Sequence, residues 1–268
     1  MPAILVEDIH KRYGSTVAVD AVSFTVEPGE ILGVLGLNGA GKTTVVETIA
    51  GLRRPDRGRV RVLGLDPWRD RARLRQVLGV QLQSAALHAA LTVRELVRLY
   101  RSFYADGADP DQLIDLLGLT GRRDTRFEKL SGGQQQRLSI ALALVGNPRV
   151  ALLDELSTGL DPQARRRIWA VVEQLRDDGV TVLLVSHLTE EVERLCDRVA
   201  LIDRGRLIAL DSPAGLIARA RRIAADTGTA APYTTLDDAF LALTGQPFGT
   251  HRLPPDLRTG RDAEEEPW

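Results

Sequence analysis

A glycine-rich loop with one lysine is the first stretch of this sequence whose residue types could do chemistry. It reads GLNGAGKT at residues 36–43, directly after the apolar run Ile31–Leu35 and before a helical pattern that starts at Thr44. Glycines let backbone N–H groups approach phosphate oxygens, and the following helix N-terminus adds positive potential. Lys42 supplies a charge and Thr43 a hydroxyl for Mg²⁺. The loop predicts phosphate binding, although many enzyme classes share it, and a plain glycine turn is the alternative.

An apolar run that ends in two acids is the second candidate. Asp154 and Glu155 follow the run at 150–153 directly. Buried carboxylates are costly unless a cation compensates them. Asp154 would hold Mg²⁺, and Glu155 would reach the water that attacks a γ-phosphate. Two exposed acids at the end of a strand remain the alternative for this motif alone.

The third candidate is a helix start, LSGGQ, at residues 130–134. Ser131 and Gln134 have the S-x-x-Q spacing of a capping box, so a simply capped helix is the plain interpretation. However, Gly132 and Gly133 would each cost up to about 1 kcal/mol relative to alanine inside a first helical turn. We interpret them as room for backbone N–H groups to approach a phosphate, which would make this a second phosphate-facing helix N-terminus.

The sequence around these motifs predicts alternating strands and helices, which would position the motif residues. Short buried strands are predicted at 22–26, 31–35, 60–63, 79–83, 150–153, 180–185 and 199–202. Several are continuously apolar, which is typical of a mostly parallel sheet covered on both faces. Between residues 83 and 150 the pattern becomes helical, at 92–103, 110–117 and 132–145. It predicts a helical subdomain over about 84–148, inserted into an α/β core.

The C-terminal part separates from this core. Residues 1–217 form the predicted nucleotide-binding domain, and 218–245 form an extension. The extension contains a predicted amphipathic helix between an N-cap at Thr235 and a terminating Gly245. Residues 246–268 are rich in proline and charge and predict a disordered tail without an assigned function.

Composition limits the location and the partners of the chain. Its 268 residues are 44% hydrophobic, enough for a substantial core, and a net charge of −1 gives no reason to expect nucleic acid. The only cysteine, Cys196, cannot form an internal disulfide, which favours a reducing cytoplasm. No run approaches the roughly 20 apolar residues that span a bilayer, and the start lacks a signal-peptide core.

Together the three motifs resemble those of the ATP-binding cassette (ABC) family. Residues 130–134 match the family's signature and stand between the phosphate loop and the Asp-Glu strand. The resemblance covers about residues 3–212. It implies a P-loop NTPase (RecA-like) α/β core with a mostly parallel sheet, a small antiparallel β subdomain and the inserted helical subdomain. It also implies ATP and Mg²⁺ as cofactors, and ATP hydrolysis as the activity.

The resemblance also implies roles for single residues. Catalytic roles fall to Glu155, His187 as a γ-phosphate contact, and Gln83. Magnesium contacts fall to Thr43, Gln83 and Asp154. Nucleotide contacts are implied for Tyr13 on adenine and for Gly36, Asn38, Gly39, Ala40, Gly41, Lys42, Thr43, Thr44, Ser131, Gly132, Gly133, Gln134 and Asp161. Leu156 stands where the family commonly has proline, which predicts a less rigid loop after Glu155.

The family architecture implies partners as well. Two cassettes would face head to tail around two ATPs, and since each motif occurs once here, a second chain, identical or similar, must complete the pair.

Our leading hypothesis is that the chain drives a separately encoded multi-span permease from the cytoplasmic face of the membrane. The apolar stretch at 84–91 would receive a helix of that permease, and packing within the helical subdomain is the alternative for this stretch. The short C-terminal end is similar to bacterial drug-exporter ATPases, which favours export of a drug-like or lipid-like compound. A soluble cassette of the cluster-assembly type is the alternative.

Overall fold

The computed structural model describes residues 1–82, 87–226 and 233–245. The strands are β1 (Ile4–Tyr13), β2 (Thr16–Val26), β3 (Ile31–Leu35), β4 (Arg57–Val62), β5 (Leu78–Gln81), β6 (Val150–Asp154), β7 (Thr181–Val185), β8 (Arg198–Asp203) and β9 (Arg206–Asp211). The helices are α1 (Lys42–Ile49), α2 (Arg71–Leu74), α3 (Val93–Arg101), α4 (Pro110–Leu116), α5 (Gly132–Leu144), α6 (Pro162–Asp177), α7 (Thr189–Leu195), α8 (Pro213–Asp226) and α9 (Leu236–Thr244). Short 3₁₀ turns lie at Thr120–Arg122 and Phe127–Lys129.

The central sheet has the strand order β5-β6-β7-β3-β8-β9. Its first five strands run parallel and β9 runs antiparallel to β8. Every residue of β3, β6 and β7 is buried, as their continuous apolar runs predict. Alternate side chains enter two separate cores, so that Ile31 packs on one face of the sheet and Leu32 on the other. The predicted α/β class with a mostly parallel sheet is confirmed.

A second, three-stranded antiparallel sheet has the order β2-β1-β4. It contains β1, which the strand predictions missed, and β2 begins at Thr16 rather than at residue 22. Charged residues interrupt the apolar alternation of β1, and its pairing with β2 has several register shifts. Asp8 in this strand has a positive φ of 48°. Such irregular pairing leaves a weak period-two pattern in the sequence, which explains the missed strand.

Helices α3, α4 and α5 lie between β5 and β6, as the helical pattern predicts. Thr92 and Glu95 form a capping box at the start of α3. The guanidinium of Arg137 on α5 donates to the carbonyl oxygens of Leu117, at 3.0 Å, and Gly118, at 2.9 Å, and so ties α5 to the end of α4. We propose residues 84–148 as the extent of this subdomain.

The predicted C-terminal helix is present as α9. Thr235 caps its start and Gly245, in a left-handed conformation with φ 72°, ends it. Its residues Leu236, Ala239 and Phe240 are fully buried. Helix α8 runs through the proposed boundary between residues 217 and 218. The tail predicted at 246–268 lies outside the described residues, and none of the helices that the structure describes is long and apolar enough to span a bilayer.

Candidate nucleotide-binding site

The phosphate loop connects β3 to α1 at the carboxyl edge of the parallel sheet. This edge is where open α/β sheets bind ligands, and β6 and β7, which carry the other candidates, end here too. At Gly36 an added Cβ would lie 2.2 Å from the carbonyl oxygen of Ile202, so a side chain cannot fit. Gly41, the N-cap of α1, has φ 101°, and its Cβ would lie 2.3 Å from the carbonyl oxygen of Ala18. The loop path therefore requires glycine at both positions.

Lys42 is the first residue of α1 and its side chain is buried in the loop. Its Nζ donates to the carbonyl oxygens of Gly36, at 2.8 Å, and Leu37, at 3.0 Å. Burial lowers the pKa of the Lys42 ammonium, and the carboxylates of Asp154 and Glu155 oppose that shift. The ammonium is thus held inside the loop, next to two acids, where a phosphate group would complete its partners.

The two acids at the end of β6 differ in environment. Asp154 is 3% exposed, and its backbone N–H donates to the side-chain oxygen of Gln81 at 2.9 Å. Burial, followed by the charge of Glu155, raises the pKa of Asp154 to about 6, against the lowering effect of Lys42. Glu155 has a positive φ of 54°, and its N–H donates to the carbonyl oxygen of Val185 at 2.8 Å. This left-handed turn directs the chain out of the sheet immediately after the strand.

A cavity of about 500 Å³ brings these groups together. Its lining residues are Tyr13, Ala18, Asn38, Gly39, Gly41, Lys42, Thr43, Thr44, Asp154 and Glu155. Larger cavities lie elsewhere, one of about 720 Å³ beside Met1 and Asp178, but neither phosphate-loop residues nor the two acids of β6 line it. The predicted phosphate loop and metal-binding acid therefore face one shared space. Two predicted loop residues, Gly36 and Ala40, do not line the cavity, and the side chain of Ala40 is buried in the core.

Tyr13 lines this cavity, and His187 lies beside one of its lining residues, Glu155. The ring of Tyr13 is exposed, with Lys11 Nζ 5.6 Å and Arg53 Cζ 5.9 Å from its centroid. His187 follows β7, and its Nδ1 lies 3.5 Å from Oε1 of Glu155. The predicted Gln83 lies outside the described residues. Tyr13 has an exposed aromatic face for stacking, and His187 is close enough to orient the Glu155 carboxylate.

The signature residues lie apart from the cavity, at the start of α5. Ser131 and Gln134 form the reciprocal capping box, with Gln134 N–H donating to Ser131 Oγ at 3.4 Å and Ser131 N–H to Gln134 Oε1 at 3.0 Å. A Cβ added at Gly132 would meet no described atom within 4 Å, whereas at Gly133 it would lie 3.1 Å from Leu160. Asp161 caps α6 through the N–H groups of its second and third residues. These residues do not reach the cavity of their own chain.

Comparisons with known proteins decide the family. A family model described as ABC transporter matches residues 19–158. The chain belongs to the ABC transporter family. A curated relative from Paraburkholderia xenovorans, the Nod factor export ATP-binding protein I, is 42% identical over 81% of this chain and 73% of its own length.

Solved structures agree with this assignment. A structure described as the ATP-binding subunit of an ABC transporter superposes with a TM-score of 0.79 at 26% identity, covering 90% of this chain and 99% of that one. The dimeric structure of a bacterial ABC transporter cassette gives a TM-score of 0.71 at 27% identity, covering 78% and 98%. This ABC chain is an ATP-binding subunit with the P-loop NTPase fold, and its enzymatic activity is ATP hydrolysis.

Two residues that support the ABC site were missed by the sequence analysis. Gln81 is buried at the end of β5 and fixes the backbone of Asp154 through its side-chain oxygen. Gln136 on α5 donates from Nε2 to the carbonyl oxygen of Glu155 at 3.0 Å. Gln136 is the last of three consecutive glutamines, Gln134–Gln136, the first of which ends LSGGQ. Only the packing of α5 beside the loop distinguishes Gln136 from the other two. A polar residue at the end of an apolar strand was the one sequence signal for Gln81.

The donor set of the cavity fits Mg²⁺. This cation binds proteins through one or two carboxylates while substrate phosphates and water fill the other positions. Burial raises the pKa of Asp154, and a divalent cation beside this carboxylate would offset the cost of its buried negative charge. Thr43 and Asp154 line the same cavity.

Proposed function

We propose that this ABC subunit hydrolyses ATP with Glu155 and uses the reaction to drive a separately encoded membrane permease that exports a drug-like or lipid-like compound. The observation that carries the catalytic part is the single cavity lined by the Lys42 loop, Asp154 and Glu155. A phosphate-binding loop, a metal-binding acid and a second acid within reach of water are the groups that phosphoryl transfer to water requires.

Each side chain then has a distinct task. Lys42 and the loop N–H groups hold the phosphates, and Tyr13 stacks on adenine. Thr43 and Asp154 would hold Mg²⁺, which when bound would neutralise phosphate charge. Glu155 accepts a proton from the attacking water or orients it, and His187, 3.5 Å from the Glu155 carboxylate, contacts the γ-phosphate.

A second chain completes the site in this proposal. The Ser131–Gln134 helix start does not reach its own cavity, and the space beside Gly132 is open in the part of the chain that the structure describes. A helix N-terminus with an open glycine face fits a phosphate supplied by another molecule. The dimeric cassette described above supports a pair of chains, which we propose as a homodimer or a heterodimer with ATP between them.

An apolar cavity beside β5 is the proposed docking site of the permease. Its volume is about 610 Å³, and Leu87, Tyr100, Phe103 and Leu142 contribute to its lining. Phe103, 61% exposed, stands at its rim beyond the end of α3. An exposed aromatic side chain beside an apolar groove is typical of protein interaction sites. Leu87 belongs to the stretch that the sequence analysis proposed for this contact.

The name of a curated relative supports the proposed direction of transport and the proposed location. The curated relative is named for export of Nod factor, which favours the export direction for this subunit. We place the chain at the cytoplasmic face of the cell membrane, attached through its permease, because the curated relative is named as the ATP-binding protein of an export system.

We expect Phe103→Asp to reduce the membrane-bound fraction of the chain about tenfold, because a charge in the docking groove would have to be desolvated. The measurement is quantitative detection of tagged chain in washed native membranes and in the soluble fraction. Leu241→Asp is the matched control, since Leu241 is 39% exposed on α9, away from the groove. Equal membrane retention of the two variants would contradict this docking site.

A further inference from the structure

A buried carboxyl group behind the catalytic loop has no role in the mechanism above. Glu191 on α7 has no exposed surface. Its Oε1 accepts a hydrogen bond from Trp169 Nε1 at 2.9 Å and another from Ser157 Oγ. Its Oε2 has no hydrogen-bond partner among the described residues. Trp169 Nε1 also lies 3.3 Å from Ser157 Oγ, so the three side chains form one closed network.

Keeping such a group is costly for folding. Burying a carboxyl without a cation lowers stability, and the described residues contain no ion pair to Glu191. The nearest arginine on the same helix, Arg194, pairs with Glu173 at 3.0 Å and stacks on the Trp169 ring at 5.1 Å. An ion pair among the described residues therefore does not explain the burial of Glu191.

The network joins the two segments that hold the reacting groups. Ser157 is two residues after Glu155, and Glu191 is four residues after His187. From the other side, Gln136 Nε2 donates to the carbonyl oxygens of Glu155, at 3.0 Å, and Leu156, at 3.5 Å. The loop after Glu155 is thus held from both sides by side chains.

Leu156 lies in this loop, at the position where the family commonly has proline. Proline at that position would restrict the backbone by its ring, whereas leucine does not. Leu156 is fully buried, and the side chains of Ser157 and Gln136 supply the restraint. Side-chain hydrogen bonds in a buried, low-dielectric site can fix a geometry closely when they form a connected network.

We propose that Glu191 is a positioning residue that fixes the Glu155 loop against the His187 segment and thereby sets the turnover rate. The inference rests on the proposed catalytic role of Glu155. Without the network, the loop would sample positions in which the Glu155 carboxylate is displaced from the attacking water. Since a displacement of about 1 Å can cost about 100-fold in rate, the expected effect lies in kcat rather than in ATP binding.

The test compares Glu191→Leu with Glu190→Leu, which makes the same change one residue earlier at a largely exposed position. We expect Glu191→Leu to lower kcat by about tenfold or more and to leave the ATP dissociation constant within about twofold. Glu190→Leu should change neither. Adding Leu156→Pro to Glu191→Leu should recover at least about threefold in kcat, because the ring restores the restraint. Rates are expressed per nucleotide-binding molecule, so a purely structural loss of folded protein does not move them.

Ser157→Ala and Glu191→Gln provide the same test if Glu191→Leu does not fold. Both should lower kcat, and their double variant should lower it by less than the product of the single effects, because they act in one network. Unchanged kcat in all Glu191 and Ser157 variants, with Glu155→Gln inactive, would overturn the positioning role alone. An active Glu155→Gln would instead overturn the catalytic assignment on which it rests.

Discussion

Replacing Glu155 with glutamine is expected to lower the ATP hydrolysis rate by about 100-fold or more while ATP binding stays nearly unchanged. Glutamine has the same shape as glutamate, but its amide cannot accept the proton of the attacking water. The carboxylate that it replaces lies at the cavity, 3.5 Å from His187. Because hydrolysis opens the proposed dimer, the variant should also accumulate as an ATP-bound dimer in size-exclusion chromatography with light scattering.

Glu190→Gln is the control for this experiment. Its side chain is 74% exposed on α7, and its charge change is the same. Hydrolysis by this variant should equal that of the wild type. Turnover by Glu155→Gln at the wild-type rate would reject Glu155 as the catalytic base, whatever the state of the dimer.

The second large effect concerns Asp154, whose replacement by asparagine should stabilise the nucleotide-free protein at pH 7. Its pKa rises from 3.8 to about 6 on folding, and about two units at about 1.4 kcal/mol each give about 3 kcal/mol. Between pH 4 and 6 the folded protein retains a proton that the unfolded chain has lost. The free energy of unfolding therefore falls as pH rises through this range. Asparagine carries no charge and removes the dependence.

The measurement is the melting temperature of Asp154→Asn and wild type from pH 4 to 8 without nucleotide. The variant should be more stable by the largest margin above pH 6, and the margin should shrink towards pH 4. Asp177→Asn is the control, because the Asp177 side chain is 72% exposed. Its melting temperature should equal that of the wild type at every pH. Parallel curves for Asp154→Asn and the wild type would contradict the raised pKa. The gain in stability should come with lost Mg²⁺-dependent hydrolysis, which is a stability–activity trade-off.

Much of this site could be predicted from the sequence because its chemistry is local. The phosphate loop, the two acids at the end of β6 and the capped glycines of α5 are each contiguous in sequence, and the chemistry of each depends on residue type and spacing. The apolar runs predicted the α/β core. The N-cap threonine and the terminal glycine predicted α9. The capping box of Ser131 and Gln134, the plain interpretation of that motif, is also present.

The missed features depend on contacts between distant segments. Gln81 and Asp154 are 73 residues apart, and Ser157 and Glu191 are 34 apart. No local pattern marks such pairs, since a glutamine after a strand or a glutamate on a helix is normally solvated. Strand β9 was missed for a related reason, because RLIALD is short and its ends are polar. Its place is fixed by antiparallel pairing with β8 at the edge of the sheet.

The measurement that tests the central claim most directly is purification of the tagged chain from its native membranes in mild detergent, with mass spectrometry of the associated proteins. The account predicts a multi-span membrane protein in stoichiometric amount, together with a second cassette that is either another copy of this chain or a similar one. Recovery of only soluble partners, with the chain absent from membranes, would contradict the transport role. That result would favour the cluster-assembly class of soluble cassettes instead.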